Sequence, residues 1–311
     1  MAMPPPISPE LQEDAAADAA PAGLNLAAVV LMAGSVRQTD LGRGSQRALL
    51  DLPIRADRSI GACWNDRVEE LRDAWSLPQL PLVIAANVIA GAPKDSAGWR
   101  GASIRMDSEE ARGSGGALKD AVRGLDPASH VLVAPGHAFV REPLAPLLDR
   151  LSRRAPRADV VIHASMASVP SGFFLIRCGA LSGVSSNGFA DLKEQVLPQL
   201  ARQQDVRVVR CESGLPFAVR SLESYIKAAR AAADTAVGSE TDLPPEDWRC
   251  TFALAEPGAD VHPSARLHDS VVLAGSRVGE GALLVRSLVG PGGVVAPGEA
   301  MFDRIIAGEK P

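Results

Sequence analysis

The chain has 311 residues, 46% of them hydrophobic, and sets 32 Lys and Arg against 37 Asp and Glu for a formal net charge of -5. That balance offers no global positive field for nucleic acid or an anionic membrane surface, so the expected partners are small molecules or proteins. Cys63, Cys178, Cys211 and Cys250 stand far apart with no C-x-x-C pair, which speaks against zinc and for reduced thiols.

Residues 1–23 are dominated by Pro, Ala and acids and read as a disordered tail. They carry no basic-then-apolar leader, and no later apolar run reaches the roughly eighteen residues that cross a bilayer, so the expected location is the cytoplasm. Folding is expected from Leu24. Residues 26–32 (LAAVVLM) are short, uncharged and aliphatic, like a strand buried on both faces of a parallel sheet. The segment after them, to residue 53, holds Arg37, Arg43 and Arg47 among Gly, Ser and Thr. Such a loop at the carboxyl end of a strand suits phosphate; the alternative is a polar surface loop.

A helix is expected to open at Asn65-Asp66, with Val68, Leu71 and Trp75 at helical spacing. Strands follow at 82–88 and 102–106. A Gly113-Ser114-Gly115-Gly116 loop then runs into a helix through Leu118 and Val122. Further strands are expected at 130–134, 159–163, 172–177 and 206–211, with helices near 143–153, 190–203 and 222–232. This alternation predicts a parallel or mixed sheet with helices on both faces and ligands outside the carboxyl ends of its strands. Beyond a linker at 234–258, aliphatics recur six apart (Val261, Leu267, Leu273; Val278, Leu284; Val289, Val295, Met301) with five-residue steps between the sets. That is the pattern of a parallel β-helix, here a short cap of fewer than three coils.

In this order of pieces the chain resembles the sugar-1-phosphate nucleotidyltransferases, the NDP-sugar pyrophosphorylases. VVLMAGSVR looks like the family's strand and L-A-A-G-x-G-T-R loop, QRALLDLP like P-K-P-L-L-P-V, and GSGGALKDA like G-T-A-G-A-L. VLVAPGHA stands where the family has a strand ending in Gly-Asp, PSGFFLIR where it has N-x-G-I-Y-V-F, and SLESYIKA where it has G-T-P-E-S-Y-L. The resemblance implies an α/β fold: a Rossmann-like, GT-A-like nucleotidyltransferase sheet domain at 24–233, then a short left-handed parallel β-helix at 259–306. It implies that Ala33, Gly34, Ser35 and the Gly113, Ser114, Gly115, Gly116 run face a nucleotide, and that Arg37 and Arg47 serve the phosphates, Arg47 at the place of a lysine. It implies Mg²⁺ as cofactor if the protein is active.

The departures from the pattern fall on the chemistry. The family's two metal-holding aspartates are replaced by His137 and, counting back from 221–225, by Ala218. A neutral imidazole is a poor magnesium ligand and a methyl group is none, so no metal is expected at these degenerate positions. The stretch between Asp159 and Gly172 has no room for the E-K-P segment that holds the sugar phosphate. Two readings follow: an enzyme joining a nucleoside triphosphate to a sugar 1-phosphate, or a non-catalytic protein that holds a nucleotide or nucleotide sugar on the same fold. The chemistry favours the second. An oligomer, or a catalytic-subunit partner, would meet it through the β-helix. A third reading makes His262 or His268 an acyltransferase base on the β-helix.

Overall fold

The computed structural model describes residues 24–34, 38–55, 57–94, 99, 101–107, 112–155, 158–185, 188–236 and 252–308. Ser35, Arg37, the expected tail and most of the expected linker lie outside them. The first half runs β1 (Leu26–Met32), α1 (Asp40–Ser45), β2 (Pro53–Arg55), β3 (Arg58–Ser59), α2 (Ile60–Ala74), β4 (Leu82–Ala86), β5 (Ala102–Met106), α3 (Gly113–Ala121), β6 (His130–Pro135) and β7 (Ala138–Phe139). It continues with α4 (Leu144–Ser152), β8 (Val160–Ala164), β9 (Pro170–Arg177), a π-turn at Leu192–Val196, α5 (Leu197–Gln203), β10 (Val206–Arg210), β11 (Phe217–Ala218) and α6 (Leu222–Ala236).

Seven strands form one mixed sheet in the order β10-β8-β9-β6-β1-β4-β5. Only β9 runs antiparallel to its neighbours. Successive residues of each central strand point to opposite faces, and each face carries its own apolar cluster. Val29, Leu31, Leu82, Ile84 and Leu132 pack with α2, α4 and α6 on one side. Val30, Val83, Ala85, Val131 and Val133 pack with α3 and α5 on the other. Burial on both faces is why these strands read as unbroken aliphatic runs. The chain steps from β1 outward to β4 and β5, then returns past β1 to β6, so the strand order reverses at β1. Crevices that bind ligands open at the carboxyl side of such a point.

Two differences from the sequence reading bear on the core and the site. Helix α2 opens five residues earlier, at Ile60, because Ser59 caps it through Ala62 N–H. Trp64 thereby becomes a core residue, 1% exposed, whose indole N–H donates to Ala138 O at 2.8 Å. The glycine run is no loop but the first turn of α3.

The second unit holds ten short strands in three parallel sheets, an arrangement typical of a left-handed β-helix. One sheet stacks Ala253–Ala255, Ser270–Val272, Leu288–Val289 and Ile305–Ile306; the others stack Asp260–Val261, Arg277–Val278, Val294–Val295 and Arg266–His268, Leu283–Val285, Ala300–Phe302. Residues seventeen apart lie over one another: Val261, Val278, Val295 in one column, Leu267, Leu284, Met301 in the next. The third column is Val272, Val289, Ile306. The inward residue is therefore Val272, not Leu273. Leu273 points outward with Val271 and Leu288 and is buried against the sheet domain, within the same apolar cluster as Leu41 and Leu50.

The join is close enough to require missing side chains. A Cβ on Gly290 would stand 2.0 Å from Gly44 O, and one on Gly44 would stand 2.1 Å from Ile305 Cγ2. Polar ties frame the contact: Gln46 donates to Gly308 O at 3.2 Å, and Arg230 of α6 pairs with Asp269.

Candidate functional site

A cleft of about 400 Å³, a size that suits a small organic ligand, opens beyond the carboxyl ends of the neighbouring strands β1 and β6. Ala33 and Gly34 form one wall, Gly136 and His137 the next, and residues 89–91 a third. The strand ends approach closely, since a Cβ on Gly136 would lie 3.0 Å from that of Ala33. Thr39, which caps α1 through Gly42 N–H, and residues 47–50 complete the floor. The cleft opens past Gln38, Thr39 and Arg220 into an outer groove of about 860 Å³ that reaches Phe302 and Arg304 of the β-helix.

Arg47 lines this cleft, and its guanidinium forks onto Glu256 at 2.8 and 3.1 Å. Glu256 also accepts from Ala274 N–H at 2.8 Å. The arginine therefore locks the cleft floor to the β-helix, a use the sequence reading did not weigh. Glu256→Ala strands a half-buried guanidinium and an amide, and we expect a loss of about 2 kcal/mol in urea unfolding.

The Gly113–Gly116 run has packing reasons the sequence concealed. Gly113 has φ +75°, and a Cβ there would meet Ala190 O at 2.5 Å. A Cβ on Gly115 would meet Val196 Cγ2 at the same distance. Gly115 N–H donates to Ala190 O at 2.8 Å, so this helix N-terminus already has a protein acceptor. Gly113 and Ser114 reach a small side pocket of about 80 Å³ shared with Gly34 and Asp191; Gly115 and Gly116 are buried behind them.

The structure puts the two positions at which the resemblance expects aspartates on or beside paired strands, with His137 lining the cleft and Ala218 not. Antiparallel pairing of β7 with β11 sets Ala218 opposite Ala138, next to His137, and Val219 N–H donates to His137 O at 2.7 Å. Arg220 is the next residue, and its Nε–H donates to His137 Nε2 at 3.0 Å. Burial first, then the charges of Arg220 and Lys193, push the His137 pKa down to about 4, against a backbone hydrogen bond to Met32. At neutral pH the imidazole is therefore uncharged and its Nε2 lone pair is used by Arg220. Magnesium wants several hard oxygens in an octahedron. An occupied imidazole, a methyl group and a guanidinium do not fit it. Among the described residues no cluster of three His, Cys, Asp or Glu could hold a metal ion. Asp191 lines the cleft, but its carboxylate caps the π-turn through Lys193 and Glu194 N–H and accepts from Ser114 Oγ.

His262 hydrogen-bonds Ser264 on an exposed turn of the β-helix, and neither His262 nor His268 lines the cleft. No helix among the described residues is long and apolar enough to cross a membrane. Sequence reasoning missed Arg220 and Lys193. The available signal was that Arg220 stands two residues past Ala218, just before a Ser221-x-x-Ser224 helix cap.

The sheet domain has the fold of the sugar nucleotidyltransferases. It is similar to HddC from Yersinia pseudotuberculosis, with TM-score 0.50 and 13% identity over 67% of this chain and 99% of that one. The same protein complexed with GMP-PN matches equally well. A putative glucose-1-phosphate thymidylyltransferase from Bacillus anthracis, in complex with a sucrose, matches with TM-score 0.51 and 10% identity over 67% of this chain and 96% of that one. At such identities the likeness speaks of fold alone. No protein-family model and no curated protein matches the sequence.

Proposed function

We propose that this chain binds a nucleotide or nucleotide sugar in the cleft beyond the carboxyl ends of β1 and β6 and does not carry out metal-assisted nucleotidyl transfer. One observation carries the reading: the two positions of the expected carboxylates hold His137, whose Nε2 accepts from Arg220 in the cleft, and Ala218, which brings no ligand atom. Transfer of a nucleotidyl group needs charge neutralisation as the pyrophosphate leaves, and a divalent ion is the usual source of it. The cleft volume, its place at the switch point of the sheet and the GMP-PN complex of the similar HddC support the nucleotide half of the reading. Arg37, Ser35, Ala33 and Gly34 remain the first loop we propose to lie against that ligand.

Two measurements on the same preparation test this. Calorimetry with GTP, UTP, dTTP and ATP, and with nucleotide sugars, should give micromolar binding for at least one. A coupled pyrophosphate-release assay with magnesium, each triphosphate and a panel of sugar 1-phosphates should stay at background. Turnover of any pair contradicts the non-catalytic reading, and silence in both contradicts the whole of it.

A further inference from the structure

Arg220 is held in place more firmly than a surface arginine needs to be. Its backbone follows the β7–β11 ladder directly and precedes a reciprocal cap in which Ser224 N–H donates to Ser221 Oγ while Ser224 Oγ accepts from Arg220 and Ser221 N–H. Its side chain is steered by the bond from Nε to His137 Nε2, which turns the terminal nitrogens elsewhere. The residue stands where the inner cleft meets the outer groove and lines both. Among the described residues no carboxylate pairs with it, in a chain whose acids outnumber its bases. A second cation, Lys193 of the π-turn, is near enough that its proton affinity is lowered, by burial first and by Arg220 next, with Asp191 opposing.

Asp191, the acid beside them, already uses its oxygens on Lys193 and Glu194 N–H and on Ser114 Oγ, and among the described residues no carboxylate forms a salt bridge with either cation, an arrangement that favours an anion. A guanidinium fixed at Nε keeps its two outer N–H groups as a planar fork, the geometry that grips two oxygens of one phosphate. Resting on the nucleotide reading above, we propose that Arg220 is the resident cation of this site. Seated on His137 with Lys193 beside it, it takes the phosphates of a nucleoside diphosphate group where related folds would place a divalent ion. The site then binds the metal-free nucleotide, because the protein's own fixed charge already does the neutralising. A magnesium complex of the same nucleotide would bring its own cation against Arg220 and gain less.

The test is calorimetric titration of the full chain with guanosine, uridine, thymidine and adenosine diphosphates, in excess EDTA and in excess magnesium. The best ligand should bind in EDTA at least as tightly as in magnesium. Arg220→Ala should weaken that binding by tenfold or more, and Arg220→Lys by less. Arg220 is exposed, so both variants should keep the wild-type circular dichroism and melting temperature. Binding that requires magnesium, or an Arg220→Ala variant of unchanged affinity, overturns this proposal while leaving the nucleotide reading intact. Failure of every diphosphate under both conditions overturns both.

Discussion

Replacing His137 and Ala218 by aspartate and Arg220 by alanine in one chain should turn a metal-indifferent cleft into one whose nucleotide affinity rises at least tenfold with magnesium. The β7–β11 ladder pairs Ala218 with Ala138, the residue next to His137, so the variant tests whether carboxylates at 137 and 218 can serve one ion. Two carboxylates a few ångströms apart repel and bind a hard divalent ion to relieve the repulsion. The third change is needed because Arg220 Nε reaches residue 137 at 3.0 Å. In the double variant, with Arg220 kept, the new carboxylates should pair with the guanidinium and leave magnesium dependence weak. A tenfold change corresponds to about 1.4 kcal/mol, and titrations at fixed ionic strength resolve it. A triple variant no more magnesium-dependent than the wild type would mean that these positions do not face the ligand.

The second large effect is expected at the join between the sheet domain and the β-helix. Gly290→Ala puts a methyl carbon within 2.0 Å of Gly44 O, and the obstacle is backbone rather than a side chain that can swing away. The β-helix and α1 must then part. Overpacking of this kind costs roughly 3 kcal/mol, here concentrated at the join that Gln46, Arg47 and Leu273 also make. Since α1 and residues 47–50 floor the cleft, nucleotide affinity should fall together with stability. Gly183→Ala, whose added carbon would come no nearer than 3.8 Å to Gln199, should shift stability by less than about 0.5 kcal/mol. Urea unfolding of the three proteins, followed by calorimetry, checks both parts; an unaltered Gly290→Ala protein would contradict the close docking.

What the sequence made legible follows from where each signal comes from. Strands β1, β4 and β6 are buried on both faces, so their aliphatic runs announce them, and the β-helix repeats itself often enough for its period to be counted. The shift from Leu273 to Val272 could not be counted, because both residues are apolar and both are buried, one inside the coils and one against the sheet domain. Helix α1 is six residues with two glycines, too short and too flexible for periodicity, and it forms because Thr39 caps it and the β-helix covers it. The Gly113–Gly116 run reads as a loop in the sequence because the Ala190 backbone that presses on it is distant along the chain. Arg220 was hidden for a related reason. The ladder that brings it to His137 is two residues long on each side, a contact between chain segments some eighty residues apart with no local pattern.

The most direct measurement of the central claim is a crystal structure of the chain with its best-binding nucleoside diphosphate in the presence of manganese, read with anomalous scattering. We expect the nucleotide beyond the carboxyl ends of β1 and β6, a phosphate within hydrogen-bond distance of the outer nitrogens of Arg220, and no anomalous peak beside His137. A manganese peak bridging residue 137 and the phosphates, or a nucleotide seated outside this cleft, would contradict it.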